Sequence, residues 1–286
     1  MRYKLAVFDL DGTLLNSNKV LTPKVLEKLR IARSCGLWVT VSTGRTFPSA
    51  KPYVEAIDMD GPVSFQNGAL ILSLKPLEIF RLVIFPKDSL KEALLVVKEL
   101  ELYPMLFSPF FDPPYILMER TFPKESPFRS YFEKALSNAI LLDDIGEAMR
   151  LKLAFNELVV VGKIDRVRKF IAQLEGRELS FVFNSFVGDE AFLEVYGPDC
   201  SKERSLIFFS EFYNISLDQI IFVGDNLNDL DAIKCAGLGV AMGNAPEEVK
   251  EEADLVIPSS EEDGVACFLE EIITEKSKVL QEKGID

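Results

Sequence analysis

The sequence predicts an α/β protein whose core is a doubly wound, mostly parallel sheet, interrupted by an inserted α+β domain. Three features point there: short apolar runs alternate with helical stripes toward both ends of the chain, the texture changes between about Val83 and Glu194, and 286 residues at 48% apolar content exceed one compact domain. Leu5 to Phe8 is a continuous apolar run, as expected of a strand buried on both faces, and it stops abruptly at Asp9-Leu10-Asp11-Gly12-Thr13. Thr22-Pro23 supplies an N-cap and a first-turn proline, Val25, Leu26, Leu29 and Ala32 form a helical stripe, and Gly36 ends it. Leu37 to Val41 is a second buried strand, running into Ser42-Thr43-Gly44-Arg45. Ile220 to Val223 is a third, running into Gly224-Asp225, with shorter strands at Val240 and at Leu255 to Ile257.

In the middle of the chain, Leu102 to Phe107, Tyr115 to Met118, Leu158 to Val161 and Phe181 to Phe183 read as paired strands. Helical stretches fall near Leu90 to Leu100 and Arg166 to Leu174. The expected division is therefore a split core over 1–82 and 195–286 and an inserted domain over 83–194. Hinges are expected near 80–86 and 190–198, where Pro86 and Gly197-Pro198 punctuate the chain. The aromatic and proline-rich segment Phe107 to Tyr115 is a candidate substrate-selecting loop, and Glu275 to Asp286 reads as a charged terminal helix that frays.

Composition excludes several chemistries. The chain has no histidine, which removes Ser-His-Asp and Cys-His nucleophiles and H-E-x-x-H metal sites. None of the four cysteines, Cys35, Cys200, Cys235 and Cys267, begins a C-x₅-R loop or a C-x-x-C pair, so reduced thiols are expected. There is no phosphate-binding G-x-x-x-x-G-K-[ST] loop, and the glycines at 237, 239 and 243 miss the dinucleotide spacing. A net charge of −13 with no basic run argues against nucleic acid and anionic membranes as partners. No apolar run approaches the roughly 18 residues of a membrane span. The four apolar residues before Asp9 are too few for a secretory signal, so a cytoplasmic protein is expected.

What remains is carboxylate, lysine and metal chemistry. A carboxylate is ionised at neutral pH and needs no histidine to activate it, so Asp9, at a strand end, is a candidate nucleophile toward a phosphate monoester. Two like charges 4 Å apart repel by roughly 4 kcal/mol at an effective dielectric near 20, so positive charge must be imported. Asp11, on the same side of the extended strand end, can protonate the leaving oxygen and later deprotonate water. Gly12 lets the backbone pass close to the phosphate. Asp225 can complete a hard oxygen site for Mg²⁺ with Asp9 and a backbone carbonyl, with Asn228 and Asp229 as further ligands or supports behind them. Lys202, following Ser201 at a helix start, brings a cation to an end that already favours anions, and Thr43 can donate its hydroxyl to a phosphoryl oxygen. Arg45 suits either a phosphate contact or bracing of the Thr43-Gly44 loop.

Taken in order, Asp9-Leu10-Asp11-Gly12-Thr13-Leu14, Ser42-Thr43-Gly44-Arg45, Lys202 and Gly224-Asp225-Asn226-Leu227-Asn228-Asp229 resemble the four motifs of the haloacid dehalogenase (HAD) superfamily. Gln66-Asn67-Gly68-Ala69, Ala241-Met242-Gly243-Asn244-Ala245 and Glu262-Asp263-Gly264-Val265-Ala266 are similar to its Cof-type branch, which carries a large α+β (type IIB) cap between the second and third motifs. Ala232 departs from the branch, which commonly has methionine there. The resemblance implies a Rossmann-like core and a cap over 83–194. It also implies an aspartyl-phosphate on Asp9, an acid/base at Asp11, Mg²⁺ held by Asp9, the Asp11 carbonyl and Asp225 with Asp229 nearby, and small phosphorylated substrates of the sugar-phosphate kind. The phosphate-binding set expected on these grounds is Gly12, Thr43, Gly44, Arg45, Lys202 and Asn228. A phosphomannomutase-like phosphotransferase and a non-catalytic sugar-phosphate sensor are the other functions the same fold serves. The expected assembly is a monomer or small homo-oligomer.

Overall fold

The structure, a computed structural model, describes residues 2–59, 61–109 and 115–282, with side chains of the last helix described as far as Thr274. Residues 110–114 of the aromatic segment and residues 283–286 of the charged terminal stretch lie outside the described residues. The chain divides into two units, Met1–Phe80 with Lys202–Asp286, and Arg81–Ser201.

The first unit opens with β1 (Leu5–Phe8), α1 (Pro23–Ser34), β2 (Trp38–Val41) and α2 (Phe47–Ile57). Thr22 caps α1 as its sequence implies, accepting the Val25 N–H at 3.2 Å. A small sheet follows, of β3 (Val63–Phe65), β4 (Leu70–Leu74) and β5 (Leu77–Leu82), in that spatial order. The second unit then runs through α3 (Lys87–Glu99), β6 (Tyr103–Phe107), β7 (Ile116–Glu119), α4 (Arg129–Ala135), β8 (Ala139–Leu142), β9 (Glu157–Lys163), α5 (Ile164–Gln173), β10 (Ser180–Val187) and β11 (Glu190–Tyr196). The chain returns to the first unit with α6 (Lys202–Tyr213), β12 (Ile220–Gly224), α7 (Leu230–Cys235), β13 (Leu238–Met242), α8 (Glu247–Glu251), β14 (Leu255–Ile257) and α9 (Gly264–Glu282).

The core sheet has the order β14-β13-β12-β1-β2 and every pairing is parallel, with Phe8 level with Val223 on one side and Val41 on the other. Alternate residues of its central strands face different layers, and both sets are buried. Leu5, Val7, Ile220 and Phe222 join Leu206 and Phe209 of α6, Ala232 and Ile233 of α7 and Val249 of α8 in one apolar cluster. Ala232 thus fills a core position. On the remaining side α1 packs on α9 and against β2. Each fully buried aliphatic or aromatic side chain contributes about 1.5–3 kcal/mol. Because all five strands run the same way, their carboxyl ends lie along one edge and deliver Asp9, Thr43, Asp225 and Asn244 to it.

The second unit carries a six-stranded sheet, β10-β11-β9-β6-β7-β8, antiparallel except for the β7–β8 pair. Its alternation is clean. Leu106, Leu158, Val160, Leu193 and Val195 pack with α3 and α5, while Met105, Phe107, Val159, Val161 and Phe192 pack with Phe128 and Phe132. Residues 190–196, expected from sequence to belong to a hinge, form β11 instead. Pairing with β9 and β10 on both edges holds them in the sheet, and the unit runs on to Ser201 rather than stopping at 194.

Candidate active site

The site is built around a buried lysine. Lys202 opens α6, and only 1% of its side chain is exposed. Its Nζ donates to Asp9 Oδ1 at 2.8 Å, Asp229 Oδ1 at 2.5 Å and Asn228 Oδ1 at 3.4 Å. Burying one cation against two carboxylates is stabilising only while the partners stay in place. Asp229 is wholly buried, and its second oxygen accepts the backbone N–H groups of Asp225 and Asn226, each at 3.0 Å. It therefore fixes both Lys202 and the start of the turn that presents Asp225.

Asp225 is held by neutral donors. Thr13 Oγ1 donates to its Oδ1 at 3.3 Å, and Asn244 Nδ2 donates to its Oδ2 at 3.0 Å and to the Gly12 carbonyl at 2.9 Å. Gly12 has φ +77°, and a Cβ there would stand 2.1 Å from Asp225 Oδ2. Only glycine allows the loop after β1 to pass so close to that carboxylate. Asp9, Asp225 and Asp229 each offer an oxygen within 4.8 Å of the others, a spacing that suits a hard cation. Burial first, then the charge of the neighbouring aspartates, pushes Asp225 up to about 8. Burial likewise raises Asp9 to about 7, against the opposing pull of Lys202. Two crowded carboxylates that resist ionisation are the expected signature of a cation site, and with both Asp229 oxygens engaged, Asp9 and Asp225 are the pair best disposed to hold a divalent ion.

Asp11 sits in a different environment. Arg45 grips it with Nε on Oδ2 at 2.5 Å and Nη2 on Oδ1 at 2.7 Å, and Lys19 Nζ lies 2.6 Å from Oδ1. Burial would raise its pKa, but the hydrogen bonds and charges of Arg45 and Lys19 prevail and hold Asp11 below the ordinary carboxylate value. Its carboxylate is not part of the three-aspartate group. Arg45, for which sequence left two roles open, is braced here on Asp11, on the Ser49 carbonyl at 3.2 Å and over the Tyr53 ring at 4.9 Å. Thr43, 1% exposed, accepts the Arg45 N–H on its hydroxyl at 3.1 Å, and Gly44 is half-buried in the bend between them. Asn228 Nδ2 donates to Asn67 Oδ1 at 3.3 Å.

Three contributors escaped the sequence-based assignment of roles. Lys19 is one. Asn67 is another, although its segment was singled out; asparagine tolerates its φ of +48°, which turns the chain under the site. Asn244 is the third, with Nδ2 on the first and fourth motif loops while its Oδ1 accepts the Ser260 N–H at 3.0 Å. The Met242-Gly243-Asn244 signal was present, but its role depends on β13 lying beside β12.

A chain with this parallel core and this carboxylate–lysine edge matches the family model of haloacid dehalogenase-like hydrolases over residues 6–269, and it belongs to that family. It is a HAD-type phosphatase of the Cof-type branch, as its motifs imply. Pyridoxal phosphate phosphatase YbhA of Escherichia coli is 24% identical over 278 residues, spanning 94% of this chain and 98% of that protein. The 5-amino-6-(5-phospho-D-ribitylamino)uracil phosphatase YitU of Bacillus subtilis is 25% identical over 271 residues, spanning 93% and 96%. A solved haloacid dehalogenase-like hydrolase from Bacteroides thetaiotaomicron superposes with a TM-score of 0.75 at 27% identity, covering 94% of this chain and 99% of that one. Among the described residues no helix is long and apolar enough to cross a membrane.

Proposed function

We propose that the chain hydrolyses small phosphorylated metabolites in the cytoplasm with Mg²⁺, through a phosphoryl group carried on Asp9. The observation that carries this reading is Lys202 Nζ clamped between Asp9 and Asp229 beside Asp225, in a chain without a histidine. Asp9 and Asp225 would hold the metal, which when bound supplies the positive charge that lets a carboxylate approach a phosphate dianion.

In the first half-reaction an Asp9 carboxylate oxygen bonds to phosphorus, the bond from phosphorus to the ester oxygen breaks, and that oxygen takes a proton from Asp11. In the second, Asp11 takes a proton from water, the water oxygen bonds to phosphorus, and the bond to Asp9 breaks, returning the carboxylate and releasing phosphate. Lys202 and the Thr43 hydroxyl bind phosphoryl oxygens throughout. Asp11 is ionised in its grip with Arg45 and Lys19, which suits the second half-reaction. To act as an acid in the first it must take up a proton from solvent, which it can do as the arriving phosphate dianion competes for Arg45 and Lys19 and weakens their hold on the carboxylate. Specificity resides in the inserted unit, and phosphomonoesters of small metabolites, sugar phosphates and pyridoxal phosphate among them, are the substrates to try.

Phosphate release should be measured across such a panel with Mg²⁺ and with chelator. Turnover of at least one substrate that depends on the metal is expected, whereas undiminished release in chelator would reject the reading.

A further inference from the structure

Lys19 occupies a backbone position that does not suit a lysine. Its φ is +60°, in the left-handed region that favours glycine or asparagine, and Asn16 and Asn18 stand close by in sequence. The loop around it is pinned from three sides. Within the loop, Asn16 Oδ1 accepts the Asn18 and Val20 N–H groups at 3.1 and 3.0 Å, and the Lys19 N–H donates to the Asn16 carbonyl at 2.9 Å. Behind it, the Ser17 N–H donates to Glu261 Oε1 and Thr22 Oγ1 to Asp263 Oδ1, both at 2.6 Å, so the turn before α9 clasps the loop at both ends. From α2, Tyr53 Oη donates to the Lys19 carbonyl at 3.2 Å, and the same ring carries the Arg45 guanidinium. A side chain mounted on so fixed a main chain is delivered to one place, unlike an ordinary surface lysine.

That place is one oxygen of Asp11. Lys19 Nζ lies 2.6 Å from Asp11 Oδ1, which also receives Arg45 Nη2 at 2.7 Å, so both lone pairs of that oxygen are engaged. Among the described residues Oδ2 receives Arg45 Nε alone. An arginine fork fixes the plane of a carboxylate but grips its two oxygens alike, and it is the lysine that makes them unequal. We infer that Lys19 is a positioning residue of the reaction that acts through Asp11: by occupying Oδ1 it leaves the open lone pair of Oδ2 to meet the leaving oxygen and the attacking water. This rests on the phosphatase reading above. Misplacing a reacting group by about an ångström can cost about a hundredfold in rate. The ion pair itself is 53% exposed on the lysine and 34% on the aspartate, so it adds little to stability, and rate can be read apart from folding.

Lys19→Met removes the charge, Lys19→Gly removes it while suiting the left-handed backbone, and Lys19→Arg keeps it. For the full-length protein with Mg²⁺ and the best substrate of the panel, the Met and Gly variants should lose at least about tenfold in kcat with KM changed by less than about twofold, and the Arg variant should recover much of the loss. Melting temperatures of the Met and Gly variants should stay within about 2 °C of the wild type. In an Asp11→Asn background, Lys19→Met should cost less than about a further twofold, because the group it positions is already gone. The inference fails if kcat falls by less than about twofold, if KM alone rises, which would make Lys19 a phosphate contact, or if melting temperature falls in step with rate. It also fails if Lys19→Met costs as much in the Asp11→Asn protein as in the wild type. A wild type that turns over nothing with Mg²⁺ would instead overturn the phosphatase reading, and this inference with it.

Discussion

The inner side of the site and its outer rim hold the same kind of side chain in opposite electrostatic states. Asp9 is buried with Lys202 and two further aspartates, and burial lifts it to about 7. Asp11, two residues further along and with 34% of its side chain exposed, is held below the ordinary value by Arg45 and Lys19. The difference separates two tasks that one carboxylate could not perform. A dry group short of positive charge is prepared to receive a cation and a phosphoryl group, while a wetter group in exchangeable ion pairs can pass protons to and from water.

The largest expected effect comes from breaking the inner cluster. Lys202→Met leaves Asp9 and Asp229 buried without their shared cation, and should lower unfolding stability by about 3–5 kcal/mol at neutral pH. Denaturant midpoints measure this, and a loss below about 1 kcal/mol, typical of a surface pair, would mean that the cluster is far more solvated than its burial implies.

A smaller effect should appear in how the metal stabilises the fold. Asp9 and Asp225 have folded pKa values of about 7 and about 8, above their ordinary 3.8. Their proton-linked stabilisation is complete below the ordinary value and is lost as pH rises through the folded values. Metal-free protein should therefore melt lower at about pH 9 than at about pH 6, and Mg²⁺ should raise the melting temperature more at the higher pH. A metal-induced shift that is equal at both, or larger in acid, would detach the metal from these two carboxylates.

The smallest effect concerns the rim. Removing the fork in Arg45→Gln should let the Asp11 carboxyl rise, moving the acid limb of the kcat profile up by about one unit. If the profile stays put and KM alone increases, Arg45 is a phosphate contact and the division between inner side and rim is wrong at that residue.

The inner side of the site was largely legible in the sequence because each of its parts ends a continuous apolar run. Leu5 to Phe8, Leu37 to Val41 and Ile220 to Val223 are strands that local composition defines, and Asp9, Thr43 and Asp225 follow them directly. The rim was less legible. Lys19 reaches Asp11 across a loop, and Asn244 bridges two motif loops only because β13 pairs beside β12, so neither role has a local pattern. The same limit hid β11. Its glutamates and the following Gly197-Pro198 suggest a linker, and only pairing on both edges, with Tyr196 Oη donating to the buried Glu194 at 2.9 Å, makes a strand of it. The small sheet of β3, β4 and β5 was missed for a related reason, since β3 has only three residues and β5 is exposed along much of its length.

The phosphorylated state of Asp9 offers the most direct test. Asp11→Asn should still be attacked on phosphorus when the leaving group is p-nitrophenolate, which departs without a proton, but should be slow to activate water, so the phosphorylated protein should accumulate. Reaction of that variant with ³²P-labelled p-nitrophenyl phosphate and Mg²⁺, quenched in acid and digested, should leave label on the peptide containing Asp9 and none when Asp9→Asn is added. Label on any other residue, or steady turnover by Asp9→Asn alone, would contradict the assignment of Asp9 as the group that carries phosphate.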